Sequence, residues 1–531
     1  MGRPHFSLLR RMRGALTGGR VWWLLAVALG ALVVRVLYVV IVLRHYVPVS
    51  DAEHYHSLAA GVADGRGMVH DFPFGFPHAT AFRPPLYPLL LGAVYAVTGP
   101  KLGAAEALNV VLGTGVVVLA ALTAGRLAGR TAGVVTGIVT AVYLPLIFND
   151  GPPLSEPLGL LLLLAVVLLL LDGRAALAGA ATGLLVLTRP SAQVFVVVLG
   201  GWVLWRLGWR RALSYGVCVA LVVAPWVLRN WQRLGTPVVV TSNGFNLNAI
   251  YSPEAKASGG FVDGFFDPRF AGLRAGISNE AELDAAFRRH ALAEIRRDPR
   301  HVLRIAPGGL MNMFEPKAGR NDVAESLDGR NLTLQHLSVP LVGYVSLWGM
   351  VGLWTVRRRG IGPLVLAAVV FTALSAVTVA TPRMRAPFDV ASCIGVGALA
   401  AEVTRAWKAR QLRRARLVML AESRPAETPT GAKDNGRGRA SPRDRAVARL
   451  EDDLAGKAAD DGRAGSDDGA PQSGNGSVAG EHDDRTATNL GQLGPPDLAP
   501  PWHAGGHDEA AASRNDWRSP HSSGSPRGCS S

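Results

Sequence analysis

Deprotonating a hydroxyl needs a well-placed oxygen or nitrogen base, and releasing a phosphate needs cations. The chain carries both kinds of group in short stretches between long apolar runs. Directly after the first such run comes Ser50-Asp51-Ala52-Glu53-His54-Tyr55-His56. A carboxylate there, beside a hydrophobic slot, would act as a general base kept reactive by desolvation. Asp51 could equally do no more than cap a helix starting near it. Further along, Arg83 precedes Pro84-Pro85-Leu86-Tyr87-Pro88, Asn149 and Asp150 are adjacent, and Glu156 stands in Ser155-Glu156-Pro157. Arg189 stands in Thr188-Arg189-Pro190, Arg229 precedes Asn230, and Arg383 and Arg385 share Pro382-Arg383-Met384-Arg385. Planar guanidinium forks suit a phosphate, and carboxylates can take a proton from an attacking hydroxyl. Charges at the mouth of a bilayer are costly unless paired or hydrated, so a ring of both signs at one depth implies a polar cavity. A salt-bridge network without chemistry is the competing reading. Asp51, Glu53, His54 and His56 could in principle hold a divalent ion, but such clusters are common at solvated helix starts, and no metal or other cofactor is expected.

The elements that must position these residues are membrane helices. Of 531 residues, 49% are apolar, and they fall in blocks. The first block, 22 to 43, follows Arg3, Arg10, Arg11, Arg13 and Arg20 and is too long for a signal-peptide core, so it reads as a retained anchor. Further runs lie at 104 to 124, 131 to 148, 156 to 171, 175 to 188, 191 to 205, 212 to 228, 339 to 356, 361 to 380 and 386 to 404. The expected fold is therefore an all-α polytopic bundle of about ten transmembrane helices. The stretch from Leu86 to Val97 is apolar but too short to span, and reads as a juxtamembrane or re-entrant helix.

The formal charge of +15 reads as topology, not as nucleic-acid binding, because the arginines cluster between apolar runs. Leaving 86 to 97 out of the spans places Arg126, Arg130, Arg174, Arg206, Arg210, Arg211, the 357 to 359 run and the 405 to 416 cluster on the same side as the basic N-terminus, residues 1 to 21. Both termini are then cytoplasmic in a cell-membrane protein, with outer loops at 44 to 103 and 229 to 338. The second outer loop should contain a helix from about Glu280 to Arg297, capped by Asn279 with Glu282 and stopped by Asp298-Pro299. That helix suits either a membrane surface or packing against its own loop. Residues 405 to 420 form a basic juxtamembrane segment, and 421 to 531 lack the apolar residues to fold, so a disordered cytoplasmic tail is expected. Three cysteines, Cys218, Cys393 and Cys529, are too few for a disulfide framework or a zinc cluster.

In the order Asp51-Ala52-Glu53, Arg83-Pro84-Pro85-Leu86-Tyr87-Pro88, Ser155-Glu156-Pro157-Leu158, Leu187-Thr188-Arg189-Pro190, Pro225-Trp226-Val227-Leu228-Arg229-Asn230 and Arg383-Met384-Arg385-Ala386-Pro387, the chain resembles the GT-C superfamily of polyprenyl-phosphate-sugar-dependent glycosyltransferases. Within it, the likeness is to the branch of protein O-mannosyltransferases and lipid A aminoarabinose transferases. The resemblance covers residues 20 to 404. It implies a GT-C-like bundle and an inverting transfer of a sugar from a polyprenyl-phosphate donor to a hydroxyl on a glycan, lipid or protein acceptor at the outer face. Carried over, Asp51 is the general base, Glu156 a second rim carboxylate, and Arg83, Arg189 and Arg385 bind the departing phosphate, with Glu53 and Arg383 as further substrate contacts. Relatives often have two adjacent acids where this chain has Asp51-Ala52-Glu53. Two other classes compete: a transporter or flippase of a lipid-linked substrate, and a non-catalytic envelope scaffold. No internal repeat supports the transporter reading. Neither sugar nor acceptor can be read from the sequence.

Overall fold

A computed structural model describes residues 22–422. The basic N-terminus to residue 21 and the tail beyond 422 lie outside the described residues. The described part is all-α apart from a two-stranded hairpin. Helix α1 (Trp22–Leu37) continues as a π-helical turn (Tyr38–Val42), and α2 (Ser50–Ala63) follows it. Strands β1 (Val69–His70) and β2 (His78–Ala79) pair antiparallel, with Val69 opposite Ala79. Then come α3 (Leu86–Thr98), α4 (Leu102–Ala128), α5 (Arg130–Val142), α6 (Glu156–Leu171), α7 (Ala175–Val186), α8 (Ala192–Leu207) and α9 (Trp209–Leu234). The segment after α9 holds α10 (Asn243–Tyr251), α11 (Glu280–Arg297) and α12 (Arg300–Phe314), and the chain returns through α13 (Leu332–Thr355), α14 (Gly362–Ala376) and α15 (Ala386–Glu422).

Every apolar run read from the sequence is a helix. Among the described residues, five helical stretches are long and apolar enough to cross a membrane: Trp22–Val42, Leu102–Ala128, Trp209–Leu234, Leu332–Thr355 and Pro382–Met419. The shorter ones, α5 to α8 and α14, have 12–16 residues. Helix α3, at 13 residues, is only about 20 Å long, too short for a bilayer core. Two reversals need a single residue each. Gly129 between α4 and α5 has φ 93°, and Gly208 between α8 and α9 has φ 86°, a backbone region that glycine enters without steric cost. The last helix is longer than its apolar run, and α15 continues through residues 405 to 420.

One end of the bundle collects arginines. Arg126 pairs with Asp172 at 2.5 Å, Arg359 with Glu402 at 3.0 Å, and Arg405 donates to the Ala128 carbonyl at 2.9 Å. Helix α6 runs from Glu156 to this end, so Glu156 lies at the opposite one. The main core fills the space between, with Leu163, Leu164, Val167, Phe195, Leu199, Leu364, Ala367, Val390 and Ile394 all buried. Close approach of α13 to α15 depends on small residues: a Cβ on Gly352 would overlap the Gly395 carbonyl, and one on Gly395 would overlap that of Gly349.

Between α9 and α13, the Asn279 side chain accepts from the backbone N–H groups of Ala281 (2.8 Å) and Glu282 (3.3 Å), so the expected cap on α11 is present. Leu283, Phe287 and Ala291 are buried, the first two within a cluster that includes Ala255, Val262 and Phe270. The apolar face of α11 is therefore spent on its own loop.

Candidate active site

Six charged residues, widely separated in sequence, meet at the end opposite the arginine loops. Asp51 stands in the first turn of α2, which is pinned by Tyr55, Ala59, Tyr87, Leu91 and Tyr95 in a common apolar cluster with α3. Polar contacts fix the same unit: His56 Nδ1 lies 2.6 Å from the Tyr95 hydroxyl, Tyr87 donates to Asn109 at 3.0 Å, and Leu86 N–H donates to the Leu187 carbonyl at 2.9 Å. No side chain caps α2, and Asp51 does not. Its two carboxylate oxygens instead accept one each from Arg83 and Arg383. The capping reading of Asp51 is thereby displaced.

Arg83 is held flat by cation–π contacts to Tyr55 and Phe82, with its carbon 5.4 and 5.1 Å from the ring centroids. Arg383, in a 3-10 turn (Pro382–Arg385) before α15, is the hub. Besides Asp51 it reaches Asp328 (3.2 Å) and lies 3.7 Å from Glu156. Glu156, at the first position of α6, pairs with Arg189 at 2.7 Å. Three acids and three arginines therefore balance. Some valences stay open: Glu156 Oε2, Asp328 Oδ2 and Arg383 Nε are buried without a hydrogen-bond partner. Beneath them opens a narrow cleft, headed by Glu156, Arg189 and Arg383 and walled by Leu160, Leu163, Leu185 and Phe371. A charged head above an apolar trough matches a lipid phosphate better than a free sugar.

Burial alone would raise the Asp51 carboxyl, but Arg83 and Arg383 outweigh it and hold the group well below the usual carboxylate range. Burial, followed by the charges of Arg83 and His70, keeps His54 well below its ordinary value, so its ring is neutral near pH 7.

The sequence-derived candidates divide. Asp51, Glu156, Arg83, Arg189 and Arg383 come together. Glu53 is exposed and makes no ion pair among the described residues. Arg385 makes its contacts elsewhere: it is 1% exposed, pairs with Asp389 at 2.9 Å, donates to the Met313 carbonyl and lies over Phe314. Asp150 likewise turns into the bundle and pairs with Arg35 of α1 at 2.7 Å. Asp328 was missed by sequence reasoning. It directly follows a short polar helix (Asp322–Leu327), and only its approach to Arg383 reveals it. A second arrangement, Ser57 Oγ 2.8 Å from His70 Nε2 with Asp71 3.2 Å from Nδ1, resembles a nucleophile relay. It is not one, because the Phe72 N–H donates to Nδ1 (2.9 Å), leaving that nitrogen an acceptor, and Asp71 is 67% exposed.

No protein-family model and no curated protein matches the chain. Solved structures do show likeness. AglB, the archaeal oligosaccharyltransferase from Archaeoglobus fulgidus in complex with an inhibitory peptide and a dolichol-phosphate, superposes with TM-score 0.45 and 14% identity over 81% of this chain and 54% of that one. ArnT from Cupriavidus metallidurans gives 0.33 and 15% in the apo state, over 72% and 78%, and 0.29 and 17% bound to undecaprenyl phosphate, over 78% and 84%. The chain spans about half the length of the archaeal protein. At these scores the likeness is slight and carries no part of the chemistry.

Proposed function

We propose that the protein is a membrane glycosyltransferase that moves a sugar from a polyprenyl-phosphate donor to an acceptor hydroxyl at the outer face. The observation that carries this reading is the sharing of Asp51 between Arg83 and Arg383, the second of which also heads an apolar cleft. A balanced set of three acids and three arginines has no surplus positive charge for a phosphate. When a phosphodiester enters, Arg83, Arg189 and Arg383 have to exchange part of their carboxylate contacts for phosphate oxygens. That exchange withdraws cations from Asp51, raises its affinity for a proton, and so produces the base only when the donor is present.

In the transfer, Asp51 takes the proton of the acceptor hydroxyl as that oxygen attacks the anomeric carbon. The bond from that carbon to the phosphate oxygen breaks, and the phosphate leaves with the electron pair. The arginines stabilise the charge that grows on the phosphate, an interaction stronger in the transition state than with bound donor. Attack from the face opposite the phosphate inverts the anomeric centre. Glu156, through its free Oε2, orients sugar or acceptor. The leucines and Phe371 of the cleft take the first isoprene units of the lipid.

Charge asymmetry supports the outer-face placement. Arginine-rich loops gather at the end of α6 remote from the cluster, and such loops are retained on the cytoplasmic side. A transporter of a lipid-linked substrate would place its charges near the middle of the bundle, where this chain places leucine and phenylalanine. The test is to reconstitute the protein in liposomes with a panel of polyprenyl-phosphate sugars and follow release of polyprenyl phosphate. Release that depends on an added acceptor supports the reading, and movement of intact donor across the bilayer without cleavage would replace it by transport.

A further inference from the structure

Away from the cluster around Asp51, a second group of acids lies in the outer segment. One carboxylate oxygen from each of Glu315, Asp322 and Glu325 falls within 4.8 Å of the other two. Glu325 is completely buried, and neither of its carboxylate oxygens has a hydrogen-bond partner. Glu315, 1% exposed, accepts from the Gln335 side chain at 3.0 Å and the Asn321 N–H at 3.3 Å. Asp322 meets His336 at 2.8 Å. Among the described residues, neither Glu315 nor Glu325 makes an ion pair with lysine or arginine. Arg330, also buried, gives its hydrogen bonds to Gln335 (3.2 Å) and Asn149 (2.9 Å).

We propose that Glu315, Asp322 and Glu325 bind a hard divalent cation, calcium or magnesium. A buried carboxylate with neither a hydrogen-bond donor nor an ion-pair contact is costly, and a cation is the partner that this donor set lacks. Three carboxylates form an all-oxygen set, which favours calcium or magnesium over zinc or copper. Two oxygens on one calcium ion, each at about 2.4 Å, can be at most about 4.8 Å apart, so a single ion fits between these groups with little movement. Water would complete the shell.

The consequence concerns positioning. The segment from Glu315 to Arg330 carries Asp328 to Arg383 and Arg330 to Asn149. An ion holding its two arms would fix Asp328 against the hub of the other cluster. The proposal does not depend on glycosyl transfer.

The test uses the purified full chain in detergent after treatment with chelator. Calcium and magnesium chloride are each titrated while Tm and the heat of binding are recorded. The expected result is a saturable rise in Tm with one bound ion, absent in Glu325→Gln and weakened in Asp322→Asn, whose half-exposed position makes a folding failure less of a concern. Asp51→Asn should keep the full rise, which separates this site from the other cluster. No cation-dependent rise in the unaltered protein would overturn the proposal. So would a rise undiminished in both acid variants, or one lost in Asp51→Asn.

Discussion

Arg383 donates to Asp51 across 332 residues of sequence, and this contact joins the 3-10 turn ahead of the last helix to the first outer helix. Because the same guanidinium also reaches Asp328 and Glu156, its removal strips charge from three carboxylates at once. The neighbouring pair is simpler to test.

Arg189 lies 2.7 Å from a Glu156 that is only 4% exposed. Arg189→Ala should therefore lower stability by about 3–5 kcal/mol, the usual consequence of leaving a buried charge without its near partner. Replacing both residues by glutamine should recover most of the loss. Thermal unfolding of the purified variants checks this; equal stabilities for the single and double replacements would contradict it.

The contact of α13 with α15 gives a second expectation. Gly352→Ala should cost about 1–3 kcal/mol by forcing the helices apart, whereas Gly343→Ala on the same helix, with open space around it, should be neutral. Folded yield and Tm of the two variants should differ accordingly.

Burial, aided by the neighbouring Glu315, raises the Glu325 carboxyl from 4.5 to about 8. Between those values the folded chain holds a proton that the unfolded chain gives up, so this group's contribution to stability falls as pH rises from about 4.5 through about 8. In chelator, Tm should drop across that window more steeply for the unaltered protein than for Glu325→Gln. Parallel profiles would show that Glu325 does not titrate there.

Orientation is open to labelling. Glu53→Cys, in a background with Cys218, Cys393 and Cys529 replaced, should react with a membrane-impermeant maleimide in intact cells. Reaction only after lysis would put the cluster on the cytoplasmic face.

The bundle was legible because its spans are long apolar runs, such as the leucine-rich stretch of α6, which no soluble helix face requires. Legibility at the site depended on the residue. Glu156 and Arg189 each abut an apolar run and Asp51 follows one closely, so their depth follows from the span beside them. Arg385 abuts one too, yet sits two positions past Arg383 in a tight turn that aims the two side chains to different partners, and sequence alone cannot divide them. Asp328 lies in a loop whose path is set by tertiary contacts, including Arg330 with Asn149, and no local pattern marks it.

The most direct test of the account is the Asp51→Asn variant, measured for sugar transfer and for binding of polyprenyl phosphate. The exchange of partners at Arg83 and Arg383 predicts transfer reduced by about 10²–10⁴-fold with lipid-phosphate affinity equal to or tighter than that of the unaltered protein, since both arginines are then freed. Transfer at the original rate, or loss of lipid-phosphate binding in a folded variant, would contradict it.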